Sequence, residues 1–233
     1  MLVLAIDTST KIGSVSLYDD KIGVIGELNL YIKVNHSAVI MNMIDNLFKM
    51  TKLSIKDVDR VAVSVGPGSF TGIRIGVAVA KGLCYGTKKS IVGINELDLL
   101  VQNIEAGEGI VIPLLDARKE RVYYSIYEKK EGFKRVTEYK DGELKTLLEE
   151  VKDRKVIFCG DGAIAYEKVI KDSMGENAII ISKGNSIPRS VLAAQLAVEM
   201  EEENLYTLEP FYVNKSQAER EKEEREAKEK NSK

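Results

Sequence analysis

Gly66-Pro67-Gly68-Ser69-Phe70-Thr71-Gly72 separates two apolar runs of different character. Residues 61–65, Val-Ala-Val-Ser-Val, are short and β-branched, as a buried strand is; residues 73–83 are longer and rich in small apolar side chains, as a helix is. The stretch therefore predicts a strand, a glycine turn and a helix. Glycines 66, 68 and 72 admit positive φ and the close approach of another chain or a phosphate, and free N–H groups at the helix start favour an anion. The spacing, however, matches no phosphate loop. Gly-x-x-x-x-Gly-Lys-Ser/Thr is absent, and in Gly-x-Gly-x-x-Gly the third glycine's place is taken by Thr71, with Gly72 one residue late. A turn made for packing and a turn made for a ligand both remain open.

Upstream, residues 2–6, 14–18 and 24–31 read as an antiparallel meander of three strands. From Ser37, a candidate N-cap, Val39, Ile40, Met43, Ile44, Leu47 and Met50 recur at helical spacing. Downstream, 90–94 is a strand and 96–104 a helix, so the order is βββαβαβα. The order then repeats. Strands are expected at 110–115, 122–127 and 133–139, a helix at 142–151, a strand at 156–158, a helix at 164–171, a strand at 178–181 and a helix at 189–202. Asp7 and Asp116 each end an apolar strand, and Val15-Ser16-Leu17-Tyr18 follows the first at the same distance as Tyr124-Ser125-Ile126-Tyr127 follows the second. Gly160-x-Gly162 likewise mirrors Gly66-x-Gly68. The repeat predicts an α/β fold of two similar subdomains, 1–106 and 107–213, facing each other across a cleft. Residues 214–233 read as a charged tail, a solvated helix or disordered chain, with Glu221/Arg225, Glu224/Lys228 and Glu226/Lys230 at the favourable i,i+4 spacing.

The 233 residues are 44% hydrophobic and 30% charged, with a formal net charge of −2. This describes a globular chain whose overall charge does not suit a phosphate backbone. Residues 1–6 carry no basic segment and run into Asp7 too soon for a signal peptide, and no stretch is long enough to span a membrane, so a cytoplasmic location is expected. Cys84 and Cys159 lie in apolar runs without a Cys-x-x-Cys motif and read as buried reduced thiols. The single histidine, His36, is followed four residues later by Ile40 where a helical metal site needs a second imidazole, so no metal site is expected. His36 is open to being a surface side chain or a general base.

Asp7 and Asp116 carry the chemistry to weigh. Strand-end carboxylates in a duplicated fold can hold hydrated magnesium against a nucleotide's phosphates, or simply cap their own turns. Thr8-Ser9-Thr10 is small enough for a phosphate to approach; Ala117-Arg118-Lys119-Glu120 is not. Asp7, Thr8, Ser9, Asp116, Gly160 and Gly162 thus outline a vestigial nucleotide site, and a small kinase or ATPase using Asp7 and Asp116 around magnesium-ATP is the enzymatic alternative. Residues 73–83 carry only Arg74 and Lys81 as charges, and the preceding helix adds Met41, Met43 and Met50. Helices more apolar than one sheet face requires are either internal or offered to a partner.

The run from Gly66 to Gly76, together with Ala5-Ile6-Asp7-Thr8-Ser9, resembles the bacterial TsaB family, also called YeaZ. The likeness extends through Leu115-Asp116-Ala117-Arg118, Val122-Tyr123, Gly160-Asp161-Gly162-Ala163, Glu209-Pro210-x-Tyr212 and Ser216-Gln217-Ala218-Glu219. The resemblance implies an actin-like, sugar-kinase-like fold and a part in making threonylcarbamoyladenosine beside the anticodon of tRNAs that read codons starting with A. It further implies a non-catalytic paralogue of TsaD with no cofactor of its own. TsaD carries the metal site and transfers the threonylcarbamoyl group; it is bound through the first-half helices, and the pair recruits the ATPase TsaE. Contact with tRNA would come only through the complex; for the chain alone, an exposed apolar helix pair leads one to expect a homodimer. Laid on this sequence, the implication selects Val39, Met43, Leu47, Met50, Gly76, Val77 and Ala80 as partner-facing. The sequence departs from the family's Tyr-x-Arg ending, because Asn214 and Lys215 follow Val213.

Overall fold

A computed structural model describes residues 1–33 and 36–213. The tail 214–233, whose expected form is given above, and the side chain of His36 lie outside what it describes. The opening stretch joins β4 (Arg60–Gly66) to α2 (Phe70–Thr87). Around it, β1 (Leu2–Asp7), β2 (Ile12–Asp19), β3 (Gly23–Tyr31), α1 (His36–Thr51), β5 (Ser90–Asn95) and α3 (Glu96–Val101) complete the first βββαβαβα unit. The sheet order is β3-β2-β1-β4-β5, antiparallel among the first three and parallel from β1 to β5. Because α1 begins at His36, Ser37 sits inside its first turn and is not the N-cap.

The second unit runs β6 (Gly109–Asp116), β7 (Arg121–Tyr124), β8 (Tyr127–Lys129), β9 (Phe133–Arg135), β10 (Lys140–Glu143), α4 (Leu144–Val151), β11 (Val156–Cys159), α5 (Asp161–Ala165), α6 (Glu167–Met174), β12 (Ala178–Ile180) and α7 (Ser190–Glu199). Its main order, β10-β7-β6-β11-β12, repeats that of the first sheet. The strand expected over 122–127 is split, and that expected over 133–139 is confined to 133–135. β7 pairs the end of β6 and β8 pairs its beginning in one continuous register, which sets Ser125 opposite Pro113. Proline has no N–H for the ladder, and there the chain turns instead to Thr137: Ile126 N–H donates to its hydroxyl at 3.0 Å and the Ser125 hydroxyl to its carbonyl at 2.7 Å. Gly142 belongs to β10 and not to the helix that follows, and the helix expected over 164–171 breaks at Tyr166 (φ −109°, ψ 20°).

Strand alternation decides what each sheet face holds. Leu2, Leu4 and Ile6 face α1 and α2, while Val3 and Ala5 face the opposite way, against Ala193, Ala194 and Ala197 of α7. The last helix of the second unit thus lies on the first sheet. Reciprocally, α3 of the first unit lays Leu97, Leu100 and Val101 on Val111, Leu115 and Tyr127 of the second. The chain after α7 also returns to the first sheet: Glu203 N–H donates to the Ile91 carbonyl at 2.9 Å, Leu208 is buried in the first core, and Phe211 N–H donates to the Val65 carbonyl at 2.7 Å. Both sheets are therefore covered on two faces.

Candidate functional site

At the first strand end the glycine turn lies directly on the residues after β1. A Cβ on Gly68 would meet the Ser9 carbonyl oxygen and one on Gly72 the Thr8 carbonyl oxygen, so only glycine permits this approach. The helix start is occupied by the protein itself. Ser69 N–H donates to the Ser9 carbonyl at 2.6 Å, the Ser69 side chain accepts from Gly72 N–H at 3.3 Å as the N-cap of α2, and the Thr8 hydroxyl donates to the Gly72 carbonyl at 2.7 Å. The N–H groups of Ser69 and Gly72, two of the donors an anion would use, are engaged within the fold.

Asp7 is fully buried beneath this cover. Its Oδ1 accepts from the N–H and the hydroxyl of Ser9, each at 2.8 Å. Its other oxygen turns to Glu96, which opens α3, is equally buried, and accepts from the Ser64 hydroxyl at 2.6 Å. Asp7 Oδ2 and Glu96 Oε1 have no hydrogen-bond partner, and a single proton held between the two carboxyls would satisfy both. Burial pushes both carboxyls above their ordinary values, Glu96 well above because the Asp7 charge adds to the burial. No sequence motif pointed to Glu96; the signal was an acidic residue placed directly after an apolar strand.

At the second strand end Asp116 is exposed but tied down. Its Oδ1 accepts from the Tyr166 hydroxyl at 2.7 Å and from Arg118 N–H at 2.8 Å, and its own N–H donates to Asp161 Oδ1 at 3.0 Å. Burial and the bond to Asp116 push the Tyr166 hydroxyl up to about 12. Arg118, Lys119 and Glu120 all take left-handed φ values of 67°, 52° and 57°, folding the loop into a tight reversal behind the aspartate. Gly160 and Gly162 pack against the Leu114 carbonyl, whereas of their first-half counterparts Gly68 packs on Ser9 and Gly66 on Ile73 and the Phe211 carbonyl. Among the described residues, no group of three or more His, Cys, Asp or Glu side chains is placed to hold a metal ion, and no helix is long and apolar enough to cross a membrane.

The other feature is the outer side of α1 and α2. Met43, Leu47, Val77 and Ala80 are buried in the first core, Gly76 packs on Thr8, Val39 is half-buried, and Met50 is 74% exposed. The buried five form the floor of the face. Its outward surface is Met41 on α1 with Ala78, Gly82, Tyr85 and Gly86 on α2, flanked by half-buried Ile75, Val79 and Leu83, while Met50 lies half a turn away from Met41 on α1. A groove of about 570 Å³ runs beside it, lined by Met41, Ile44, Phe48, Leu53, Ile55 and Leu83. A Cβ on Gly82 or Gly86 would meet nothing within 4 Å. Their absence of a side chain answers no need of this chain's own packing.

Residues 28–222 match the family model described as TsaD, tRNA N6-adenosine threonylcarbamoyltransferase. The tRNA threonylcarbamoyladenosine biosynthesis protein TsaB of Bacillus subtilis is 33% identical, over 94% of this chain and 96% of that protein. The chain belongs to the TsaB (YeaZ) family. The Escherichia coli TsaB is also 33% identical, over 57% of each chain. YeaZ from Pseudomonas aeruginosa superposes with a TM-score of 0.77 over 91% of this chain and 99% of that one, at 22% identity, a likeness of fold. The duplicated arrangement expected from the sequence is the one observed, and its fold is that of YeaZ. Two of the motifs that carried the resemblance meet in space: Arg74 stacks 3.7 Å over Phe70 and its Nε donates to the Tyr212 hydroxyl at 2.8 Å, joining the start of α2 to the Glu209–Tyr212 segment.

Proposed function

We propose that this TsaB-family chain serves tRNA threonylcarbamoyladenosine biosynthesis in the cytoplasm as a non-catalytic scaffold and activator. It binds TsaD through the exposed side of α1 and α2 and supports transfer of the threonylcarbamoyl group to the adenosine next to the anticodon. The observation that carries the reading is the open pair Gly82 and Gly86. Each glycine in an exposed helix interior costs about 1 kcal/mol relative to alanine, and a helix of another chain approaching along Ala78, Gly82 and Gly86 gives the cost a purpose. The bound state of Asp7 and the tying down of Asp116 support the absence of phosphoryl chemistry. On this reading TsaE engages the heterodimer, tRNA is met through the complex, and in the absence of TsaD the same face accommodates a second copy.

The test separates folding from binding. Gly82→Ala and Gly86→Ala should each raise the stability of the isolated chain by about 0.5–1 kcal/mol, while weakening co-elution with co-expressed TsaD on size-exclusion chromatography. Unchanged co-elution of the double variant would remove the face from the interaction. TsaD modifying tRNA equally well alone would remove the activator role, and tight magnesium-ATP binding lost on Asp7→Asn would restore the kinase reading.

A further inference from the structure

We infer that the seam between the two halves holds a second binding site, a cavity suited to a free α-amino acid with an apolar side chain. It lies where the end of β5 and α3 of the first unit meet the β8–β9 hairpin of the second and the last turn of α7, away from the outer face of α1 and α2. Its volume is about 250 Å³, below the roughly 300–1,000 Å³ of sites for drug-sized ligands.

The polar groups lining it are of both kinds and are incompletely used. Asn95 is only 9% exposed; its Oδ1 accepts from Leu97 N–H at 2.9 Å, which fixes the orientation of the amide, and its Nδ2 has no partner. Asp98 takes the Tyr127 hydroxyl on one oxygen at 2.6 Å and the Tyr139 hydroxyl on the other at 2.5 Å, leaving a further lone pair on each. Arg135 stacks 4.0 Å over the Tyr139 ring. Among the described residues it has no carboxylate within ion-pair distance. A carboxylate acceptor and a guanidinium thus stand on one tyrosine, Tyr139. Tyr127, Phe133 and Leu196 supply apolar wall.

A zwitterion with a short separation of its charges answers this set: its ammonium donates to Asp98, its carboxylate accepts from Arg135, and its side chain meets the apolar wall. A fatty carboxylate leaves Asp98 unanswered. A nucleotide brings several negative charges against Asp98 and exceeds the volume.

The full chain, titrated with L-leucine and L-phenylalanine by calorimetry and followed by thermal denaturation, should show saturable binding and a rise in melting temperature. N-acetyl-L-leucinamide, which lacks both charges, should give neither. Asp98→Asn should weaken binding by about tenfold or more, the scale of one charge-assisted hydrogen bond. Arg135→Gln should do the same, and because Arg135 is exposed this variant keeps the fold. Absence of saturable binding at millimolar amino acid, equal binding of the capped analogue, or undiminished binding by Arg135→Gln would each overturn the site.

Discussion

The two glycine turns of this chain launch helices with different fates. From the first, Ser69 caps α2, whose 18 residues run unbroken and present Ala78, Gly82 and Gly86 outward. From the second, α5 stops after five residues, the backbone reorients at Tyr166 so that its hydroxyl reaches Asp116, and α6 continues with Glu167, Lys168, Lys171 and Asp172 on its surface. The aspartates differ correspondingly. Asp7 is buried beside an equally buried Glu96; Asp116 stays at the surface, held by hydrogen bonds. A duplicated frame has therefore closed both of its strand ends by different chemistry. Only the first half kept a long, smooth helix free to face another molecule.

The comparison breaks most sharply at the glycines. A Cβ on Gly72 would run into the Thr8 carbonyl oxygen, a backbone atom that cannot swing aside, whereas one on Gly162 would stand 2.9 Å from the Leu114 carbonyl oxygen. Gly72→Ala should therefore cost about 3 kcal/mol or more and Gly162→Ala about 1–2 kcal/mol, the scale of overpacking in a tight site. Urea denaturation of the two variants measures the difference. Equal losses would show that the two turns are packed alike and that the contrast between the halves lies elsewhere.

Much of this architecture is legible in the sequence because it rests on period and punctuation. The alternation of 2–6 and the length of 73–83 fix their elements, and the recurrence of Asp7 and Gly66-x-Gly68 as Asp116 and Gly160-x-Gly162 fixes the duplication. Where the sequence misleads, a distant partner decides. The run 122–127 alternates like one strand, yet it breaks opposite Pro113, a residue that is near only after β6 has paired. Residues 164–171 have helical spacing, yet Tyr166 is drawn to Asp116. The candidate partner face follows the same rule. Apolarity singled out Met43, Leu47, Val77 and Ala80, which hydrophobic burial takes into the core; the outward positions Gly82 and Gly86 carry no apolar signal and are recognised only by the open space around them. Glu96 could not be assigned because its partner, Asp7, is far away in sequence.

A second test sharpens the contrast at the first strand end through its pH dependence. Both Asp7 and Glu96 are raised above their ordinary values of 3.8 and 4.5, chiefly by burial. In that case the folded state holds more protons than the unfolded one, so their contribution to stability is complete below about 4 and declines as the pH rises through the folded-state values. Glu96→Gln places a permanent amide donor opposite Asp7 and keeps an acceptor for Ser64. It should flatten this decline and make the variant more stable than the wild type at pH 8 by about 1–2 kcal/mol, the scale of one pKa unit or slightly more. A parallel pH profile in wild type and variant, from thermal melts between pH 5 and pH 8, would mean that the pair does not share a proton.

The smallest effect is expected at the second strand end. Tyr166→Phe removes one hydrogen bond to Asp116, a surface carboxylate that water can solvate in its place, so the loss should be about 0.5–1 kcal/mol. Its value lies in what it leaves intact. The variant leaves Asp116 Oδ1 held by Arg118 N–H alone, while Asp7 remains buried under the 66–72 turn and the N–H of Ser69 remains engaged by Ser9. If both strand ends are closed independently, freeing one does not reopen the cleft, and magnesium-ATP titrated into Tyr166→Phe should produce no more heat than it does with the wild type. Binding gained by this single change would locate the closure in Tyr166 alone and make the covered turn at Asp7 a bystander.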